Sequence, residues 1–247
     1  MAILVEKLRS FGIGLVIVGA IWYLAYIVID RAVMPNPMLV IQSLPTLLNH
    51  NIGTHFMHSM YRAFMGLFFS MTIGLVVGIL AANVHAAKVL TPFLYFTYPI
   101  PRVALLPVIM LVFGLGDTSK IIMITLIVAY PIIIVVRDSV KDIPKETYNT
   151  LICLGATRVQ MFFTVTLPWA ASGVLSAMRI SLGTAIAILF FTETYGTSFG
   201  MGFFILDMWQ RINYVLMFAG IVVLSFTGFI IFVFIDVLED VLLRWRK

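Results

Sequence analysis

Charge is scarce in this 247-residue chain: 11% of its residues are charged and 62% are hydrophobic, whereas a soluble domain carries roughly a quarter charged residues. A water-soluble fold has no way to bury so much apolar side chain. Cysteine is nearly absent too. The single Cys153 excludes an internal disulfide and reports no oxidising compartment, and a small apolar filler on a helix accounts for it. No run alternates polar and apolar positions over about ten residues, which excludes the pattern of a transmembrane barrel. There is no G-x-x-x-x-G-K-[ST], so the chain lacks the usual loop for ATP phosphates, and it is not expected to be an enzyme or to bind a cofactor of its own. His50, His55, His58 and His85 form no H-E-x-x-H. The His55/His58 pair alone is a poor metal site, and none is expected. No solenoid-length repeat is visible.

What is present is a set of long apolar runs, each near the length that crosses roughly 30 Å of hydrocarbon as a helix. The expected fold class is an all-α integral membrane protein, one domain over 1–247, with six spans at about 11–29, 61–83, 89–113, 119–136, 169–192 and 214–237. The first run follows Lys7 and Arg9 but ends at Asp30-Arg31 without an A-x-A-like site, so it reads as a retained helix rather than a signal peptide. An even number of spans puts both termini on one side. Placed in the cytoplasm, that side holds Lys7, Arg9, Lys88, Arg137, Lys141, Lys145, Arg158, Arg244, Arg246 and Lys247, against Arg31, Arg62, Lys120 and Arg211 outside. The asymmetry obeys the positive-inside rule, and the net charge of +5 then reflects orientation rather than nucleic-acid binding.

Two connections stand out. The external segment 30–58 opens with Met34-Pro35-Asn36-Pro37 and continues as a short amphipathic stretch from Val40 to Asn49, expected along the outer surface. The internal segment, about 138–168, is not linker-like. A helix start at Asp142-Ile143-Pro144 leads into Tyr148, Leu151, Ile152 and Leu154, Gly155 interrupts, and a second helical piece from Arg158 to Thr166 is expected to stop at Leu167-Pro168. Two short helices broken by Gly-Ala suit docking.

The third span contains Pro99, Pro101, Arg102 and Pro107. Interior prolines free carbonyls that hydrocarbon leaves unsatisfied, and an intramembrane arginine is costly unless paired or wetted, so this span belongs at a pathway or a protein interface; a kinked structural helix is the plainer alternative. In the fifth span Arg179 and Gly183 share a face, where the glycine would let another helix approach the charge, although Arg179 also suits a structural ion pair. Glu193 precedes a glycine-rich turn, Thr194 to Gly202, that reads as an external gate or cap. Gly66, Gly74 and Gly78 line one face of the second span for close packing.

Several of these residues resemble the permeases of binding-protein-dependent ABC importers. Leu154-Gly155-Ala156-Thr157-Arg158 through Thr166-Leu167-Pro168 is similar to their "EAA" loop, E-A-A-x-x-x-G followed by I-x-L-P; Asn149 stands at the glutamate place, and Thr150 and Leu151 at the alanine places. The likeness extends to the sulfonate, taurine, nitrate and bicarbonate branch. Met34 to Pro37 stands where that branch has L-P-S-P, and Ser59-Met60-Tyr61-Arg62 with Gly66 resembles its S-L-x-R-x-x-x-G. Pro99-Ile100-Pro101, Pro107, Phe113-Gly114-Leu115-Gly116 and Lys120 match its third-span run, and Arg179, Gly183, Glu193, Gly196 and Gly200-Met201-Gly202 its fifth helix and following turn.

The resemblance implies a type I importer fold in a prokaryotic inner membrane, with both termini cytoplasmic. It implies a second permease chain, taken as another copy, two ATPase subunits that hold ATP and Mg, and an extracytoplasmic solute-binding protein. Coupling to the ATPase would fall to a helix at about Glu146 to Phe162, with Glu146, Asn149, Thr150, Leu151, Gly155, Ala156, Thr157, Arg158, Leu167 and Pro168. The translocation pathway would be lined by Pro99, Pro101, Arg102, Pro107, Arg179, Gly183 and Glu193. Two arginines suit a small anion such as sulfonate, taurine, nitrate or bicarbonate. A permease for a neutral or cationic vitamin precursor is the nearest alternative; a secondary transporter or channel would need a second broken span, and a membrane-embedded enzyme would need convergent reactive groups.

Overall fold

Ala, Leu, Ile, Val and Phe dominate the runs, and in hydrocarbon their backbone groups must be satisfied within each segment, so the runs fold as helices. The computed structural model describes residues 2–29 and 31–242, and every regular element among them is helical. In order these are α1 (Ala2–Ile29), α2 (Pro37–Ser43), a 3-10 turn (Leu44–His50), α3 (Ile52–Ala82), α4 (Val84–Thr97), a 3-10 turn (Arg102–Leu105) and α5 (Leu106–Phe113). Then come α6 (Asp117–Lys141), α7 (Lys145–Cys153), α8 (Arg158–Met161), a π turn (Phe162–Thr166), α9 (Leu167–Glu193), α10 (Met201–Gln210) and α11 (Tyr214–Leu242). Five helices are long and apolar enough to cross a membrane, or six if the bent pair α4/α5 is one span. Arg244, Arg246, Lys247, Asp30 and the side chains of Lys7 and Arg9 lie outside the described residues.

The core is built on α3, α6 and α9. Gly66, Gly74 and Gly78 bring the α3 backbone against Ile124, Ile132 and Val136 of α6, and a Cβ on any of the three would collide there. This close approach is what small residues provide in membranes, where no hydrophobic drive favours one apolar contact over another. Val174, Met178, Leu182 and Leu189 of α9 complete the same buried cluster. The amphipathic segment after α1 is pinned by Val40 and Leu47, both buried.

The structure corrects several boundaries. The third span is not one helix over 89–113: α4 and the Arg102–Phe113 helical segment meet at 86°, because Pro99 and Pro101 lack N–H groups and Pro107 sits in the first turn of α5, where its missing N–H costs nothing. The second span begins at Ile52 rather than 61, started by Asn51 in a left-handed conformation (φ 53°). That extension carries His55, His58 and Ser59 into the helix. Arg62 and Lys120 are buried within the chain, at 2% and 0% exposure. Nor does the helical piece from Arg158 stop at Leu167-Pro168; it runs through to Glu193, because the π turn, in which Leu167 N–H donates to Phe162 O, widens the ladder where the proline enters.

Candidate translocation and coupling site

Among the described residues, three groups of polar side chains bear on the expected site. The first lies where the start of α3, the start of α6 and the end of α9 meet. His55, Ser59 and Arg62 follow one another at helical spacing and continue the glycine face of α3. Arg62 Nη1 donates to Glu193 Oε1 and to Phe199 O, each at 2.8 Å, while its Nε donates to Asp117 Oδ1 at 2.7 Å. Ser59 Oγ lies 2.8 Å from both oxygens of Glu193. The first turn of α10 closes the group: Met201 N–H donates to Ser59 Oγ at 2.7 Å and Gly202 N–H to Glu193 Oε2 at 2.9 Å. A carboxylate at a helix N-terminus satisfies donors that have no partner inside the helix and faces the positive end of its dipole.

The turn between α9 and α10 is held on both sides. Gly200 N–H donates to His55 Nδ1 at 3.2 Å, and Lys120 Nζ donates to Leu115 O and to Gly196 O. Gly200 has φ 134°, and a Cβ there would fall 2.5 Å from the Glu193 carboxyl carbon, so only glycine lets the turn wrap this closely. Glu193, expected on the pathway, is 0% exposed within this single chain and paired there with Arg62. Such a pair holds the turn in one place because breaking it would strand a charge in low dielectric. Ser59, Arg62 and Lys120 were not singled out as site residues by sequence; the signal was their register with Gly66 and Ile124.

The second group is the bend. Pro99, Pro101 and Pro107 are exposed along it and Arg102 is half-buried. Arg102 Nη2 donates to Thr97 O at 3.2 Å and its guanidinium carbon sits 4.0 Å from the Tyr130 ring centroid. Neither partner is negatively charged. Arg179 differs: it pairs with Asp236 and, at 2.6 Å, with Glu239, both on α11. Gly183, four residues on, faces open space on the same exposed face of this chain.

The third group is an elbow at the opposite end of α6 and α9. α7 ends in a Schellman motif: Gly155 N–H donates to Ile152 O and Ala156 N–H to Leu151 O, each at 2.9 Å, with Gly155 at φ 77°. Thr157 then caps α8 in a capping box with Gln160. Tyr148 Oη, 2.9 Å from Thr166 Oγ1, ties the elbow to the root of α9, and Ile143 is buried beneath it. Glu146, Asn149, Thr150, Gly155, Thr157 and Arg158 are exposed, whereas Leu151, Ala156, Leu167 and Pro168 are half-buried. The elbow also shows apolar side chains to solvent, with Ile152, Leu154 and Val159 at 56%, 77% and 66% exposure.

Comparison with known proteins fits this geometry. Residues 70–245 match the family described as binding-protein-dependent transport system inner membrane component. A protein of Bacillus subtilis (strain 168) named for aliphatic sulfonates transport, permease protein SsuC, is 30% identical over 89% of this chain and 80% of its own. The taurine transport system permease protein TauC of Escherichia coli (strain K12) is 27% identical over 96% and 89%. The formylaminopyrimidine transport permease protein ThiX of Halalkalibacterium halodurans is 27% identical over 87% and 86%. In fold, the chain resembles a solved structure of the inward-facing MetNI methionine ABC transporter, at TM-score 0.58 and 23% identity over 74% of this chain and 95% of that one. The chain belongs to the inner membrane component family of binding-protein-dependent transport systems, as a multi-pass ABC importer permease of the sulfonate, taurine and nitrate branch.

Proposed function

We propose that this chain lines the solute pathway of an ATP-driven importer and receives its power stroke through the α7–α8 elbow. The observation that carries the reading is that elbow: a rigid, doubly capped helix break whose apolar residues Ile152, Leu154 and Val159 have no cover within the chain. A rigid surface with uncovered apolar side chains and a polar rim is what a docking partner needs. The partner is an ATPase subunit, which holds ATP and Mg, since the sequence here has no phosphate loop. Two such ATPases, a second permease copy and an extracytoplasmic solute-binding protein complete the assembly, with the elbow and both termini on the cytoplasmic side.

The pathway runs past the bend between α4 and α5, with Pro99, Pro101, Arg102 and Pro107, and past Arg179 and Gly183. Arg102, which faces no carboxylate among the described residues, favours a small anionic solute, in keeping with the relatives named for aliphatic sulfonates and taurine. The relative named for formylaminopyrimidine transport supports a second reading, a neutral or cationic heterocycle. Purification of the tagged chain from its native cells in mild detergent, with mass spectrometry of bound proteins, tests the assembly. A Walker-motif ATPase in equal copy number is the expected result. A chain recovered alone that moves solute without ATP after reconstitution overturns the reading.

A further inference from the structure

Beside the bend, α4 and α6 part around a cavity of about 260 Å³ lined by Leu94, Tyr95, Tyr98, Tyr130, Ile134 and Arg137. Its walls combine aliphatic surface, three phenol rings and a guanidinium whose side chain is only 12% exposed. Arg137 Nε donates to Asp138 Oδ1 at 2.8 Å, and the guanidinium also interacts with the Tyr95 side chain. On the other side, Arg102 lies over the Tyr130 ring. One guanidinium, Arg137, thus lines the cavity and a second, Arg102, lies against the Tyr130 ring of its wall, with one carboxylate, Asp138, beside Arg137 and itself half exposed. The net positive charge is set between apolar helices, where water screens it least.

The donors define the ligand. Tyr130 Oη already donates to Leu94 O, which leaves the hydroxyls of Tyr95 and Tyr98 and the remaining Arg137 donors for a guest. Arginine donors match the oxygens of a carboxylate or sulfonate. A water molecule takes roughly 30 Å³ in the liquid. The cavity is therefore far roomier than a bare nitrate needs, and Leu94, Ile134 and the rings offer cover for carbon.

We propose that this cavity is a transit site for a small organic oxyanion, a sulfonate or carboxylate with a short carbon body. The headgroup binds Arg137 and the hydroxyls of Tyr95 and Tyr98, and the body lies against Leu94, Ile134 and the phenol rings. Asp138, by sharing Arg137, keeps the site weak enough to release its guest, which a pathway requires. The proposal rests on the importer reading and locates where within that pathway the anion pauses.

The test uses the complete transporter in proteoliposomes, with the exposed Cys153 replaced (Cys153→Ser) and a reporter thiol placed in the cavity wall (Ile134→Cys). The thiol is modified with the anionic reagent 2-sulfonatoethyl methanethiosulfonate. Saturating ethanesulfonate is expected to slow modification about tenfold, nitrate and uncharged dimethyl sulfone less than about twofold, and Arg137→Gln to remove the protection. Should Arg137→Gln fail to assemble, Tyr98→Phe keeps the ring, removes one donor and is expected to weaken protection severalfold. Equal protection by dimethyl sulfone overturns the anion assignment. Modification indifferent to ethanesulfonate, in a transporter that still takes ethanesulfonate up, overturns the site and leaves the importer standing; indifference in a chain that binds no ATPase and moves solute without ATP overturns both.

Discussion

The two ends of the α3–α6–α9 core solve opposite problems. At the α9–α10 turn, Arg62, Glu193, Asp117, Lys120 and Ser59 bind one another and the nearby backbone, and four of the five are at most 2% exposed. At the α7–α8 elbow, polar groups are spent on capping the two short helices, and the apolar side chains point outward. One end is complete within a single chain; the other is shaped but uncovered. The difference teaches that burial of charge here marks structure, while exposure of leucine and isoleucine outside the spans marks where a partner belongs.

By that contrast, damage at the turn end shows first in stability and damage at the elbow first in transport. The largest expected effect is Glu193→Ala. It takes from Arg62 its fully buried partner, leaving only the partly exposed Asp117, and leaves the Gly202 N–H of α10 without its acceptor, and losing one member of a buried pair costs about 3–5 kcal/mol; thermal unfolding in detergent should shift strongly downward and folded yield should fall. An unfolding midpoint equal to that of the unmodified chain would show that the turn is not held by this pair.

Gly155→Val is next. A branched residue at φ 77° costs of order 1–3 kcal/mol, but no neighbouring atom lies within 4 Å of its Cβ, so the fold should survive while ATP-driven uptake is lost. Normal coupled uptake would remove the elbow from the mechanism. Leu154→Asp should be smallest in stability, within about 0.5 kcal/mol as for most surface substitutions, yet should abolish recovery of the ATPase in pull-down. Undiminished recovery would break the comparison, since the uncovered apolar surface would then have no docking role.

Much of this was legible beforehand. Gly66, Gly74 and Gly78 announced a packing face by spacing alone, and the face they predict is the one that meets α6. The helix break at Gly155, preceded by Pro144 and followed by Thr157, was readable because caps are local chemistry. The fate of Glu193 was not. A carboxylate at the end of an apolar run reads the same whether it stands free or meets the start of a helix eight residues on, and its pairing depends on Ser59 and Arg62, more than 130 positions away in sequence. The burial of Arg62 and Lys120 was not legible for the same reason: a charge near the end of an apolar run shows in sequence no sign of the partners that let it lie inside the fold.

The sequence by itself determined that this protein is helical, that it crosses a membrane several times, that its elbow breaks at Gly155 and which family it joins. These follow from hydrophobic length, proline and glycine chemistry and motif order, all of which act over short stretches of chain. Only the tertiary structure decided which charges are partnered, how sharply α4 turns into α5, and that Arg102 and Arg137 flank a tyrosine-lined cavity. Those outcomes depend on which distant helices meet, and in an apolar medium that is set by the fit of side chains across α3, α6 and α9 rather than by any local preference.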